Sequence, residues 1–215
     1  MILTIAHTKG GVGKTTTAVQ IATYLKAVKH IENVWLIDGD QQRSALHSAT
    51  NRNNDTNNEP LACSSLISGK ELLGQLRSQK KLYDEIIIDI GAKDSAALRA
   101  ALLESDVLLI PTMPRAYEMY AMADLIGIIK EAKELGAHFI TKIYINCADS
   151  QGTANDEAED FIKSCEDIEF VPINVKRRKS FAMASAFGLS VFEMKPRDEK
   201  ACNEIHDLVN KIYNF

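Results

Sequence analysis

The stretch TKGGVGKTTTAV (residues 8–19) follows directly on the apolar run ILTIA (2–6). A buried strand that turns through glycines into a helix admits few architectures, because the turn opens toward whatever the helix N-terminus faces. Gly10, Gly11 and Gly13 allow backbone conformations closed to other residues, so successive N–H groups can converge on one anion. A helix beginning at Lys14 adds the positive end of its dipole. The spacing nearly reproduces G-x-x-x-x-G-K-[ST], in which Lys14 reaches the β- and γ-phosphates of a nucleotide and the Thr15 hydroxyl ligates Mg²⁺. The expected phosphate-binding set is Gly10, Gly11, Val12, Gly13, Lys14, Thr15 and Thr16. Two details depart from the pattern. Thr8 stands where the first glycine belongs, and a second lysine, Lys9, precedes Lys14 by five positions. The competing explanation is a Gly-rich β–α turn with incidental lysine and threonines.

Further apolar runs recur at 34–38, 85–90, 107–112, 142–146 and 170–173, separated by helical-period segments at about 14–29, 66–80, 94–104, 117–135, 153–166 and 198–213. The runs are continuous rather than alternating, as in strands covered on both faces. Such an order predicts an α/β fold, a doubly wound and mostly parallel sheet flanked by helices. Asp94 or Ser95 is the expected cap of the third helix. With no internal repeat or linker, residues 1–215 are expected to form one domain. SATNRNNDTNNEP (48–60) is expected to be an exposed loop, since it is polar and rich in asparagine.

Carboxylates recur at predicted strand ends: Asp89 closes EIIID, and Asp38 and Asp40 lie in LIDGDQQ. Singly, such residues cap turns; three beside a phosphate loop point to metal and water placement, because open α/β sheets bind ligands at that edge. The formal net charge is −4, so a nucleic-acid contact requires a local basic patch. Four scattered cysteines, Cys63, Cys147, Cys165 and Cys202, are expected to be buried reduced thiols in a cytosolic protein. No signal peptide is evident, and no apolar run approaches the roughly 18 residues of a membrane span.

Taken together, KGGVGKTTT, LIDGDQQRSA, IIIDIGAKDSAALRAALLESDVLLIPTMP and RRKSFAMASAFGLSVFE resemble the ParA/MinD group of deviant Walker A ATPases, and the later segments resemble plasmid-partition ParA proteins. The resemblance implies ATP and Mg²⁺ as cofactors and an ATP-dependent homodimer in which Lys9 crosses to the partner subunit's nucleotide. It implies that Asp40 orients the attacking water, that Asp38 and Asp89 support Mg²⁺ through its water shell, and that Gly91 is a switch contact near the γ-phosphate. Asn146 would read the adenine edge and Pro172 would lie against the base. Gln41 departs from the family's usual proline.

With strand-like sequence from residue 2, no preceding helix-turn-helix is expected, which resembles small ParA proteins that bind double-stranded DNA nonspecifically as ATP dimers. Lys176, Arg177, Arg178 and Lys179 form the expected DNA patch, with Lys195, Arg197 and Lys200 following. The resemblance further implies a ParB-type adaptor protein that stimulates hydrolysis, and a cytoplasmic protein that is nucleoid-associated when ATP-bound. A MinD-like membrane switch is the alternative, but the terminal segment NEIHDLVNKIYNF carries few cations and its apolar stripe reads as core. The nitrogenase iron protein would need cysteines that residues 89–106 lack. A biotin-pathway ligase of related fold stays open.

Overall fold

The computed structural model describes residues 1–55, 57–91 and 96–213. Seven strands occur among them: β1 (Ile2–Ile5), β2 (Val34–Asp38), β3 (Ala62–Ser65), β4 (Glu85–Asp89), β5 (Val107–Thr112), β6 (Ile140–Ala148) and β7 (Glu169–Lys176). All pair in parallel, in the order β3-β2-β4-β1-β5-β6-β7. Parallel neighbours require crossovers, and the helices that supply them cover both faces of the sheet. One face carries α1 (Lys14–Ala27), α2 (Ser44–Asn54), α7 (Lys179–Ala186) and α8 (Glu199–Tyr213). The other carries α3 (Gly69–Gln79), α4 (Ala96–Leu102), α5 (Ala116–Glu134) and α6 (Ala154–Lys163).

The continuous apolar runs now have their reason. In β4, Ile86 and Ile88 pack toward α3–α6 while Ile87 packs toward α1. In β2, Trp35 and Ile37 face the first of these layers while Val34 and Leu36 face the second. A strand buried on both sides cannot spare a polar alternate. The doubly wound parallel sheet expected from the sequence is therefore the observed fold. Asp94 and Ser95, the expected caps, lie outside the described residues. The cysteines are free thiols, but only Cys202 is buried; Cys63, Cys147 and Cys165 are half-buried.

Three elements depart from the sequence reading. The segment 48–60 is not simply a loop, since its first half belongs to α2. No capping side chain and no acidic residue in the first turn support that helix, so tertiary contacts hold it. Ala45 and Ala49 are buried. Asn51 Nδ2 donates to the Ala186 carbonyl at 2.8 Å, and Asn53 exchanges two hydrogen bonds with the Leu61 backbone at 2.9 and 3.0 Å. Arg52, 1% exposed, donates to Glu193 at 2.9 and 3.1 Å and to the carbonyls of Glu59 and Gly188. The asparagines that suggested a loop are thus hydrogen-bonded anchors. The edge strand β3, with sequence ACSS, has no apolar run to betray it, and α7 is a helix of 8 residues behind a basic cluster.

Arg52 also explains the motif GLSVFE at 188–193. Gly188 adopts φ +69, and a Cβ there would lie 2.1 Å from the Ser48 carbonyl oxygen, so α2 can approach only a glycine. Gln20 of α1, fully buried, donates to the Leu189 carbonyl at 2.9 Å and accepts from the Val191 N–H at 2.9 Å. One segment therefore latches α1 and α2 together. Removing a partner from a buried ion pair strands the other charge. Arg52→Ala is expected to lower unfolding free energy by about 3 kcal/mol, read as a reduced urea midpoint.

Candidate functional site

The Gly-rich loop spans the gap between β1 and α1 at the C-terminal edge of the sheet. Gly11 and Gly13 have φ of +80° and +91°, which explains why glycine stands at both. The amide of Asn146, at the end of β6, lies beneath the loop and its Nδ2 donates to the Val12 carbonyl at 2.7 Å. A Cβ at position 13 would fall 2.2 Å from that Nδ2, so the strain is steric as well as torsional. On the far side, Thr17 Oγ1 bonds the Gly13 carbonyl at 2.8 Å and the buried Tyr144 hydroxyl at 2.6 Å. The loop is thus held from two strand positions, Tyr144 and Asn146, of β6. Behind it, the first N–H groups of α1 have no carbonyl partner within the helix and face the site with the positive end of its dipole.

The lysines are coupled. Lys14 is 7% exposed, and its Nζ donates to the Lys9 carbonyl at 2.8 Å. A buried ammonium at the start of α1 is suited to binding an anion held by the loop.

Opposite the lysines stand the carboxylates. Asp38 and Asp89 are register partners on β2 and β4, both fully or nearly fully buried. Thr15 Oγ1 donates to Asp89 Oδ2 at 2.6 Å, while Asp89 Oδ1 is buried with no hydrogen-bond partner. Burial pushes the Asp89 carboxyl up to about 7; the Thr15 hydroxyl opposes that rise and the nearby Asp38 charge adds to it. Burial also raises Asp38, although its oxygens accept N–H bonds from Asp40 at 3.0 Å and Leu46 at 2.9 Å. An orphaned carboxylate oxygen beside a threonine hydroxyl is a donor set that suits a hard dication. The described residues hold no group of three or more metal-ligating side chains, so water and phosphate oxygens would fill most of the shell, as Mg²⁺ favours. Asp40 is half-exposed, and its carboxylate lies against Gly91, where a Cβ would fall 2.9 Å from Oδ2. Gln41, in place of the expected proline, is exposed.

The structure therefore gathers Lys14, Thr15, Asp38, Asp40, Asp89 and Gly91 at the C-terminal edge of the sheet beside the loop, with the Lys9 backbone at the loop's entry and Thr16 in the first turn of α1. Asn146 is drawn there too, with its amide nitrogen bonded to the Val12 carbonyl of the loop. Pro172 lies exposed on β7. Of the basic cluster, Lys176, Arg177 and Lys179 are exposed. Arg178 is not: its Nε donates to both oxygens of Glu204 at 3.1 Å, so its guanidinium ties β7 to α8. Arg178 is thereby the least available of the four residues of the expected DNA patch.

Sequence reasoning missed His7. The ring is 1% exposed, and its Nδ1 accepts the Lys9 N–H at 3.0 Å, which sets the backbone of the early lysine. Only its place, two residues past β1 and one before the loop, could have marked it. Burial, then Lys14, then Lys9, lowers the imidazole from 6.5 to about 4. The folded ring refuses a proton that the unfolded chain accepts below about pH 6.5, so its contribution to stability is complete above that pH and is lost as pH falls toward 4. In ¹H–¹⁵N spectra the His7 ring is expected to stay neutral from pH 8 to 5. A midpoint near 6.5 would contradict its burial.

Residues 3–191 match the CobQ/CobB/MinD/ParA nucleotide binding domain family. The maintenance of carboxysome distribution protein A of Halothiobacillus neapolitanus is 23% identical over 212 residues, covering 98% of this chain and 95% of that protein. Among solved structures, the MinC:MinD cell division protein complex of Aquifex aeolicus superposes with a TM-score of 0.78 at 21% identity, covering 100% of this chain and 96% of that one. A Borrelia burgdorferi protein assigned to plasmid partition, bound to AMPPNP, gives 0.75 at 19% identity, with 99% and 98% covered.

Proposed function

The chain belongs to the CobQ/CobB/MinD/ParA nucleotide-binding domain family, and from that premise we propose that it is an ATPase that positions cargo. In this reading it dimerises on ATP, holds double-stranded DNA without reading sequence, and releases it after a ParB-type adaptor stimulates hydrolysis. The cargo is a plasmid, a chromosome region or another body; the Halothiobacillus relative, by name a carboxysome distribution protein, supports the last form. The protein works in the cytoplasm, on the nucleoid while ATP is bound, and residues 1–215 act as one domain.

The observation that carries this reading is the pair of lysines joined through the Lys9 carbonyl. Lys14 is buried in its own cradle and serves the phosphates bound there. Lys9 precedes the cradle and reaches the phosphates of a second copy, a cation supplied in trans. Neutralising two triphosphates between two subunits makes ATP part of the dimer contact, so association reports nucleotide state. Thr15, Asp38 and Asp89 would hold Mg²⁺, which would neutralise phosphate charge. Asp40, against Gly91, holds the attacking water and takes up its proton.

For DNA the exposed Lys176, Arg177 and Lys179 supply phosphate contacts, with Lys195, Arg197 and Lys200, all exposed, nearby. A dimer doubles these contacts, which favours the paired state on DNA. A membrane switch is disfavoured by α8, whose apolar stripe, Ala201, Cys202, Ile205, Leu208, Val209 and Ile212, is buried in the core. Among the described residues no helix is long and apolar enough to cross a membrane.

Lys14→Ala is expected to abolish binding of a fluorescent ATP analogue. Lys9→Ala is expected to bind it within a few-fold of the parent yet remain a monomer by light scattering with ATP; a normal dimer would remove Lys9 from the partner's site. Replacing Arg177 and Lys179 together with alanine is expected to weaken retention on duplexes of unrelated sequence and to flatten the salt dependence by about two units of slope per subunit. Full retention would place the DNA surface elsewhere.

A further inference from the structure

Eight arginines occur in the sequence, and six of them are engaged. Arg52, Arg77, Arg99, Arg115 and Arg178 each pair with a carboxylate, and Arg197 donates to the Phe192 carbonyl at 2.9 Å. Among the described residues, Arg43 and Arg177 alone have no side-chain hydrogen bond or ion pair. Arg177 lies in the basic patch already described, which leaves Arg43, an exposed residue three positions past Asp40.

Its backbone is tied on both sides. The Arg43 N–H donates to the Asp40 carbonyl at 3.1 Å, and the Arg43 carbonyl accepts the His47 N–H at 3.0 Å. Between them, the Gln42 N–H donates to Asp40 Oδ1 at 2.9 Å. Asp40 thereby sets the turn that carries Arg43, and a turn of this kind keeps its first and last Cα within about 7 Å. Arg43 has a φ of +54°, a left-handed conformation that is costly for a residue with a Cβ. Such outliers gather where function over-determines the backbone.

Charge decides what the guanidinium serves. Asp38, Asp40 and Asp89 stand at this edge of the sheet, so a triphosphate on the loop adds negative charge to negative charge. Lys14 and a dication offset only part of it. Asp40 accepts from Gln42 and lies against Gly91, and it does not pair with Arg43. An unpaired planar cation, held where the loop and the carboxylates meet, matches the geometry of phosphoryl oxygens.

We propose that Arg43 is a further catalytic residue of the ATPase, whose guanidinium binds the oxygens of the transferring γ-phosphoryl group. This inference rests on the nucleotide reading above. Water adds to the γ-phosphorus and the bond to the ADP oxygen breaks, its electron pair leaving on ADP. The proton of the water goes to Asp40. Arg43 takes up no proton; it offsets the charge that builds on the oxygens in flight. The ATP it serves lies in its own cradle or in that of a second copy.

The test uses the full chain with Mg²⁺ and ATP, without DNA, in single-turnover mode. Arg43→Asn removes the charge and keeps a residue that tolerates positive φ; Arg43→Gly relieves the backbone as well. Both are expected to slow hydrolysis about a hundredfold and to bind a fluorescent nonhydrolysable ATP analogue within a few-fold of the parent. Both are expected to lose about a hundredfold in affinity for ADP with aluminium fluoride, a mimic of the transferring group. Arg43→Gly is expected to unfold on heating no earlier than the parent, so that its lost rate is not a lost fold. Mixing Arg43→Asn with Asp40→Ala separates the two sources. Recovered turnover assigns Arg43 to the second copy's ATP, and no recovery assigns it to its own. Parent-like rates and parent-like aluminium fluoride affinity in both Arg43 variants would overturn the role of Arg43 alone. A parent chain that neither binds nor hydrolyses ATP would overturn the nucleotide reading beneath it.

Discussion

The hydrogen bond from Asn146 Nδ2 to the Val12 carbonyl, at 2.7 Å, underlies the geometry of the site. A loop with two positive-φ glycines has many accessible shapes, since glycine loses more backbone freedom on folding than any other residue. A strand of the sheet picks out one of them. Asn146 grips the crest of the loop, Tyr144 grips its exit through Thr17, and His7 sets its entry through the Lys9 N–H. With three points fixed, the Lys14 ammonium and the first N–H groups of α1 are aimed before any anion arrives. Recognition then forfeits little ordering entropy at the moment of binding.

Charge is arranged around that loop as two opposed layers. The lysines sit on the loop, and Asp38, Asp40 and Asp89 sit on the two strand ends across from it. Burial disfavours the charged forms of Asp38 and Asp89, and Asp89 is pushed up to about 7. Such a pair of buried acids on adjacent strands is poorly satisfied by the protein itself, and the orphaned Asp89 Oδ1 is the visible sign. Structures keep groups like these where a function needs them and offset the cost elsewhere.

Much of this frame was legible in the order of residues. Runs such as EIIIDI and VLLIPT announce strands because burial on both faces leaves no polar alternate, and the glycines and lysine after ILTIA announce the loop. What could not be read has physical causes. Helix α2 is made by bonds to residues far along the chain, and asparagine, a loop former in isolation, becomes an anchor when Leu61 and Ala186 supply partners. Four cations in a row look alike in a sequence, yet Glu204 claims Arg178 and leaves its neighbours to solvent. Asn146 could be placed at a strand end but not assigned to the loop, because only the packed structure brings β6 beneath it. His7 gave no sign beyond its place between strand and loop, since a histidine beside an apolar strand reads as core.

The latch formed by Arg52 and Glu193 has a mechanical consequence. Between β2 and α2 the chain is pinned at one end by the sheet and at the other by a buried guanidinium. The carboxylate of Asp38 further staples the Leu46 N–H, inside the first turn of α2. Only residues 39–43 lie between these fixtures. Any rearrangement there is a trigger of short throw: it can re-aim Asp40 over a few ångströms, but it has no slack with which to swing a lid.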